Sequence, residues 1–191
     1  MIIEPFDIAN IDKVATMAAK MWGPIIVPSI EFTREVLLNW FYDPKFSLQA
    51  CDDDGTMHAV AFASMKNDVN ISTKWIDDFL VGKSYDERRK VLASTSYLLR
   101  TEKDMLSMMD DNSAKFSLLI SDKKGFGTPL LERLTQILIE SGAKWIYLIT
   151  DSTCNLQFHT RHGFKKIHEE LVVPLCTKEK DYYCLIYRKQ I

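Results

Sequence analysis

Gly125 and Gly127 stand one residue apart, behind the basic pair Lys123-Lys124 and ahead of Thr128-Pro129. The short apolar run Leu118-Leu119-Ile120 leads into them, and Leu130, Leu131, Leu134, Ile137 and Leu138 follow as one helical stripe. This order predicts a strand, a phosphate-sized loop and a helix N-terminus. The N–H groups at such a terminus lack intrahelical partners, and the helix dipole favours an anion. Thr128 suits the N-cap, Pro129 the first helical position, and Gly142 a left-handed stop. The G-x-x-x-x-G-K-[ST] spacing of a P-loop is absent, and Leu130 stands where a dinucleotide fingerprint needs its third glycine. Two readings remain: a loop that anchors a phosphorylated ligand, or a tight turn that binds nothing.

A second constellation lies downstream. Trp145 to Ile149 is a continuous apolar run, followed by Thr150-Asp151-Ser152-Thr153-Cys154-Asn155-Leu156-Gln157-Phe158-His159-Thr160-Arg161-His162-Gly163-Phe164. This predicts a short capped helix ended by Gly163 and a new strand from Phe164. With Gly125-Phe126-Gly127, it resembles the GNAT superfamily of N-acetyltransferases. In that family a cofactor loop of pattern Q/R-x-x-G-x-G/A precedes a later F-Y-x-x-x-G-F. The second pattern here reads Phe158-His159-Thr160-Arg161-His162-Gly163-Phe164, with its spacing intact. Asp122 replaces the Gln/Arg, and His159 replaces the Tyr. The order of elements fits over residues 1–191, while the specific motifs occupy 116–164.

The resemblance implies an acetyl-CoA-dependent N-acetyltransferase that acts by direct attack of an amine within a ternary complex. Its acceptor would be a small-molecule or peptide amine. The alternatives are a non-catalytic acyl-CoA-binding or sensing domain of the same fold, and an unrelated domain using the loop for ATP or a dinucleotide. On this reading Lys123, Lys124, Gly125, Phe126, Gly127 and Thr128 hold the cofactor diphosphate, though the two lysines read equally as solvated surface charge. Main chain of the Leu118–Ile120 strand, including Leu119 and Ile120, supplies N–H donors to the thioester oxygen. Asn155 and Phe158 flank the pantetheine arm, with Asn155 either bonding its amide or standing on a helix surface. His159 either protonates the departing thiolate or packs beside it. Asp151 either accepts the amine proton through water or caps a helix.

The elements that must position these residues are legible along the chain. Ile2 to Pro5 reads as a strand, residues 11–22 and Ser29 to Tyr42 as helices, and Phe46–Cys51 with Met57–Met65 as a hairpin around Asp52-Asp53-Asp54-Gly55. Residues 70–112 read as a helical insertion. Within it are a short helix at Trp75, Ile76, Phe79 and Leu80, and a capping box at Ser84-Tyr85-Asp86-Glu87 opening a longer one. The stripe of that longer helix runs Val91, Leu92, Leu98, Leu99, Met105, Leu106, Met109. The insertion either covers the sheet or walls the acceptor pocket. Phe164–Val173 and Tyr182–Arg188 form a closing hairpin. The expected fold is α/β (α+β), a mixed, mainly antiparallel sheet of six or seven strands with helices on both faces, in a single domain.

Composition sets the outer bounds. The 191 residues are 47% hydrophobic and 26% charged, ordinary for a globular chain. A net charge of −2 without a long basic cluster gives no nucleic-acid footprint. No apolar run reaches membrane-spanning length, and the N-terminus lacks the regions of a signal peptide. Cys51, Cys154, Cys176 and Cys184 show no C-x-x-C, so they read as reduced thiols of a cytoplasmic protein, with no metal site expected. A monomer or homodimer is expected.

Overall fold

The computed structural model describes the backbone of residues 1–191 and every side chain except those of Pro24 and Ile25. Seven strands form one sheet in the order β1-β2-β3-β4-β5-β7-β6. They are β1 (Ile2–Pro5), β2 (Ser47–Cys51), β3 (Met57–Met65), β4 (Ser113–Ser121), β5 (Trp145–Asp151), β6 (Lys165–Leu171) and β7 (Tyr183–Gln190). Only β4 and β5 run parallel; every other pair is antiparallel. The β2–β3 hairpin turns where Gly55 takes φ 86°, a dihedral that suits glycine.

Helices cover both faces. On one lie α1 (Ile11–Ile26), α2 (Ile30–Val36, widening into a π-type turn over Leu37–Phe41), α3 (Lys74–Phe79) and α4 (Tyr85–Met108). On the other lie α5 (Gly127–Glu140) and the short α6 (Leu156–Arg161). The α5 stripe packs as its period requires, with Leu130, Leu131, Leu134 and Leu138 buried against Phe116, Ile146 and Leu148. Each such leucine contributes about 1.5–3 kcal/mol relative to exposure. The first helix runs past residue 22 to Ile26, bending where Gly23 adopts φ 72°.

Two expectations need correction. α5 begins at Gly127, with Phe126 in the N-cap position and no side-chain cap. Phe126 is buried with its ring 5.2 Å from that of His58, and helical geometry starts one residue ahead of Thr128. Thr128 Oγ1 instead meets His162 Nε2 at 3.1 Å. The α4 stripe forms at Val91, Leu98, Leu99, Met105, Leu106 and Met109 but fails at Leu92. The capping box forms, with Ser84 N donating to Glu87 Oε2 at 2.8 Å. However, Leu92 is exposed, while Ser94, Thr95, Thr101 and Glu102 are buried beside Val91 and Met105. α4 therefore lays a partly polar face on the sheet.

One irregularity controls the site. β4 pairs with β3 along its length, but the register jumps from Phe62↔Leu118 to Ala63↔Phe116, leaving Ser117 as an extra, bulged residue. The bulge reverses the inside–outside alternation of the strand. Ala114 and Phe116 face α5 before it; Leu118 and Ile120 face α1 and α2 after it. β4 and β5 pair only through Phe116↔Leu148, and their ends then splay apart.

Candidate active site

The splay opens a cleft of about 530 Å³ through the middle of the sheet. On the α5 side it is lined by Phe116, Leu119, Gly127, Leu131, Asn155, Phe158, His159 and Phe164. The α4 side presents Trp22, Phe41, Tyr97, Leu98, Glu102, Lys115 and Tyr182. Asp151 stands at the C-terminal end of β5 and borders the opening. Beyond Phe116, the β5-facing edge of β4 has no ladder partner, so its main-chain groups are available.

The glycine loop meets the cleft at Gly127. Gly125 takes φ 93°, and a Cβ built there would meet nothing within 4 Å. The uncapped first turn of α5 thus presents N–H groups across a side-chain-free approach, suited to an anion. Lys124 is exposed beside it. Lys123 is held 3.3 Å from Asp52 Oδ2, with its Nζ over the Phe126 ring, so part of its charge is already answered. Under the loop, His58 bridges Asp122 and Asp52 at 2.8 Å each. Asp122, then Asp52, raises the His58 pKa above its ordinary value. The Asp122 that departs from the family motif therefore braces the loop.

Of the sequence-derived candidates, Leu119, Ile120, Gly127, Asp151, Asn155, Phe158 and His159 come together around the cleft. Phe126 is buried beneath the loop. Asn155 caps α6, its Oδ1 accepting from Phe158 N at 3.4 Å. His159 lies in an aromatic setting, its ring centroid 5.6 Å from Tyr187 and 6.2 Å from Phe164. Burial, and after it neighbouring His162, lowers its pKa below the ordinary histidine value. Asp151 caps the turn after β5, accepting from Thr153 N at 2.7 Å and from the Thr153 hydroxyl.

Several residues were not singled out beforehand. Tyr97 and Tyr182 adjoin Asp151 on the α4 side, and burial pushes both hydroxyls above the ordinary tyrosine pKa. The Tyr97 side chain is also close to Cys184, whose thiol burial pushes up to about 11. Lys115 and Glu102 form a buried pair with Nζ and Oε2 2.8 Å apart and side chains 2% and 5% exposed. Their approach lacks hydrogen-bond angles, and neither Lys115 Nζ nor Glu102 Oε2 has a hydrogen-bond partner. Lys115 Nζ also sits 4.5 Å from the centre of the Phe41 ring. A signal was present: Lys115 interrupts an apolar strand, and Glu102 falls on the Leu98–Met105 face of α4.

The sequence matches no protein-family model and no curated protein. Solved structures do match over the whole chain. Drosophila melanogaster polyamine N-acetyltransferase superposes with a TM-score of 0.66 at 12% identity, covering 100% of this chain and 99% of that one. A mosquito arylalkylamine N-acetyltransferase like 5b gives 0.61 at 11%, with coverage of 100% and 99%. Ribosomal-protein-alanine N-acetyltransferase from Brucella melitensis gives 0.57 at 13%, with 100% of both chains covered. At such identities the likeness speaks to architecture, and the architecture is plain. This chain has the GNAT N-acetyltransferase fold.

Proposed function

We propose that the protein is an acetyl-CoA-dependent N-acetyltransferase acting on an amine, by direct attack in a ternary complex within the β4–β5 cleft. The observation that carries this reading is the splay itself. A bulged β4, an unpaired strand edge and an uncapped helix N-terminus open onto one apolar cleft. These features fit coenzyme A: N–H groups and Lys124 for its diphosphate, and Leu119, Leu131, Phe158 and Phe164 for its pantetheine arm. The named activities of structures with this fold, on polyamine, arylalkylamine and ribosomal-protein alanine, support an amine acceptor.

When bound, acetyl-CoA supplies an activated acetyl thioester. The residues of this chain then hold, polarise and move protons. Main-chain N–H groups between Ser117 and Ile120 donate to the thioester carbonyl oxygen, fixed beforehand so that no reorganisation is needed. Asp151 draws the acceptor ammonium to the α4 side of the opening and takes its proton through water. Tyr97 and Tyr182, kept protonated by burial, donate rather than compete for that proton. His159, on the cofactor side, rests neutral at pH 7. One imidazole nitrogen receives the proton released by the amine and passes it to the departing sulfur.

Calorimetric titration tests the cofactor assignment. Coenzyme A is expected to bind with one-to-one stoichiometry and to be undisturbed by excess ATP or NAD. Displacement by ATP, or ATP binding without coenzyme A binding, would contradict it. Among the described residues no helix is long and apolar enough to cross a membrane.

A further inference from the structure

The acetyl-transfer chemistry leaves Lys115 and Glu102 unused, although both line the cleft and are almost wholly buried. A buried ion pair is a poor stabiliser unless further hydrogen bonds satisfy its atoms, and these two have none. Ser117 Oγ, on the bulge in the same cleft wall, is also buried without a partner. Three polar groups of complementary kind therefore lie in the wall of one cavity: an ammonium donor, a carboxylate acceptor and a hydroxyl.

We infer that Lys115 and Glu102 read the far end of the acceptor, with the Ser117 hydroxyl between them and the reacting edge, and that the acceptor is a primary monoamine with an apolar body and a neutral hydrogen-bonding head. This rests on the N-acetyltransferase reading of the same cleft. The body follows from the walls between head and amine, where Trp22, Phe41, Tyr97 and Leu98 present aromatic and aliphatic surface. The head follows from charge. The pair sums to zero, so a second ammonium or a carboxylate beside it would be buried without a compensating charge. A phenol, alcohol or carboxamide both donates and accepts, and satisfies both atoms without leaving a buried charge unbalanced. The length is compatible. Lys115 lies two to four residues from the free Ser117–Leu119 edge, about 7–13 Å along the strand, the span of an arylethylamine.

The test compares tyramine, phenethylamine and putrescine as acceptors at saturating acetyl-CoA. Tyramine and phenethylamine differ only in the phenolic hydroxyl, and putrescine carries a second ammonium. The wild-type protein is expected to favour tyramine over each of the others by at least tenfold in kcat/KM. In the Lys115→Met, Glu102→Met double variant, which removes both charges and both polar groups together, the tyramine-to-phenethylamine ratio is expected to fall to within about twofold of one. Should that variant fail to fold, the wild-type comparison still decides. Equal use of tyramine and phenethylamine, or preference for putrescine, overturns the inference and leaves the acetyl-transfer reading intact. Absence of turnover with all amines, tyramine included, overturns the acetyl-transfer reading and this inference with it.

Discussion

His159 and Asp151 belong to opposite sides of the splayed sheet, and in the proposed reaction that separation divides the proton work between them. Asp151 shares its face with Tyr147 and Ile149 by strand alternation, beside α4, Tyr97 and Tyr182. His159 packs toward Tyr187 and Phe164, beneath the α5 side. A ring held below its ordinary pKa of about 6.5 is neutral at pH 7, and protonation at lower pH blocks its uptake of the amine's proton. Turnover at saturating substrates is therefore expected to fall as pH drops below about 6.5, as the protonated fraction grows. His159→Phe keeps a similar ring volume and removes the relay; it is expected to lose roughly tenfold to a thousandfold in kcat together with that acidic limb. His159→Tyr restores the donor usual in the resembled family, should recover much of the loss, and should also lack the acidic limb, because a phenol titrates near 10 and stays neutral across that range. Wild-type turnover in the Phe variant would reduce His159 to packing. Neither partner could be ranked from sequence alone, because burial and His162 on one side, and two tyrosines on the other, come from distant parts of the fold.

At the scale of elements, local rules read well where the cause is local. The α5 stripe, the Ser84–Glu87 capping box and the Asp52–Gly55 hairpin are each set by a few adjacent residues, and each forms. The start of α5 was misplaced at Thr128 because it depends on Phe126 seated beside His58, a residue of another strand. The face of α4 was read correctly except at one leucine and in its polarity. Leu98, Leu99 and Leu106 pack as their period requires, yet the sheet beneath α4 offers a cleft as well as a core, so Thr101 and Glu102 are buried too while Leu92 is exposed. Within the insertion, α4 supplies the pocket wall through Tyr97, Leu98, Thr101 and Glu102, while α3 packs Trp75 and Phe79 against Phe32 and adds no residue to it. The glycine loop yields an element-level prediction. Gly125 lies at φ 93°, which a β-branched residue resists, whereas Gly127 has no positive φ and is sensitive only through close approach of a ligand. Gly125→Val is expected to weaken coenzyme A binding at least tenfold, about 1.4 kcal/mol, in a protein that still folds because the site is exposed. Unchanged calorimetric affinity in the folded variant would separate this loop from the diphosphate.

At the scale of the molecule, one extra residue in β4 organises the whole account. The bulge at Ser117 turns the strand over, ends its pairing with β5, and lets a single cleft run from the α5 side to the α4 side of the sheet. In the proposed reaction, cofactor and acceptor reach one strand edge from opposite faces, as direct transfer requires. A bulge has no local signature in Phe116-Ser117-Leu118, so the strand was legible and its function was not. The splay carries the claim that this fold transfers acetyl groups, and turnover tests that claim most directly. Purified protein is incubated with acetyl-CoA and tyramine or another amine, while free thiol release and the mass of the amine are followed together. The account predicts amine-dependent thiol release matched one for one by an amine gaining an acetyl group. Coenzyme A binding without acetylation of any amine would contradict it, and would make the chain a binding or sensing domain built on a catalytic fold.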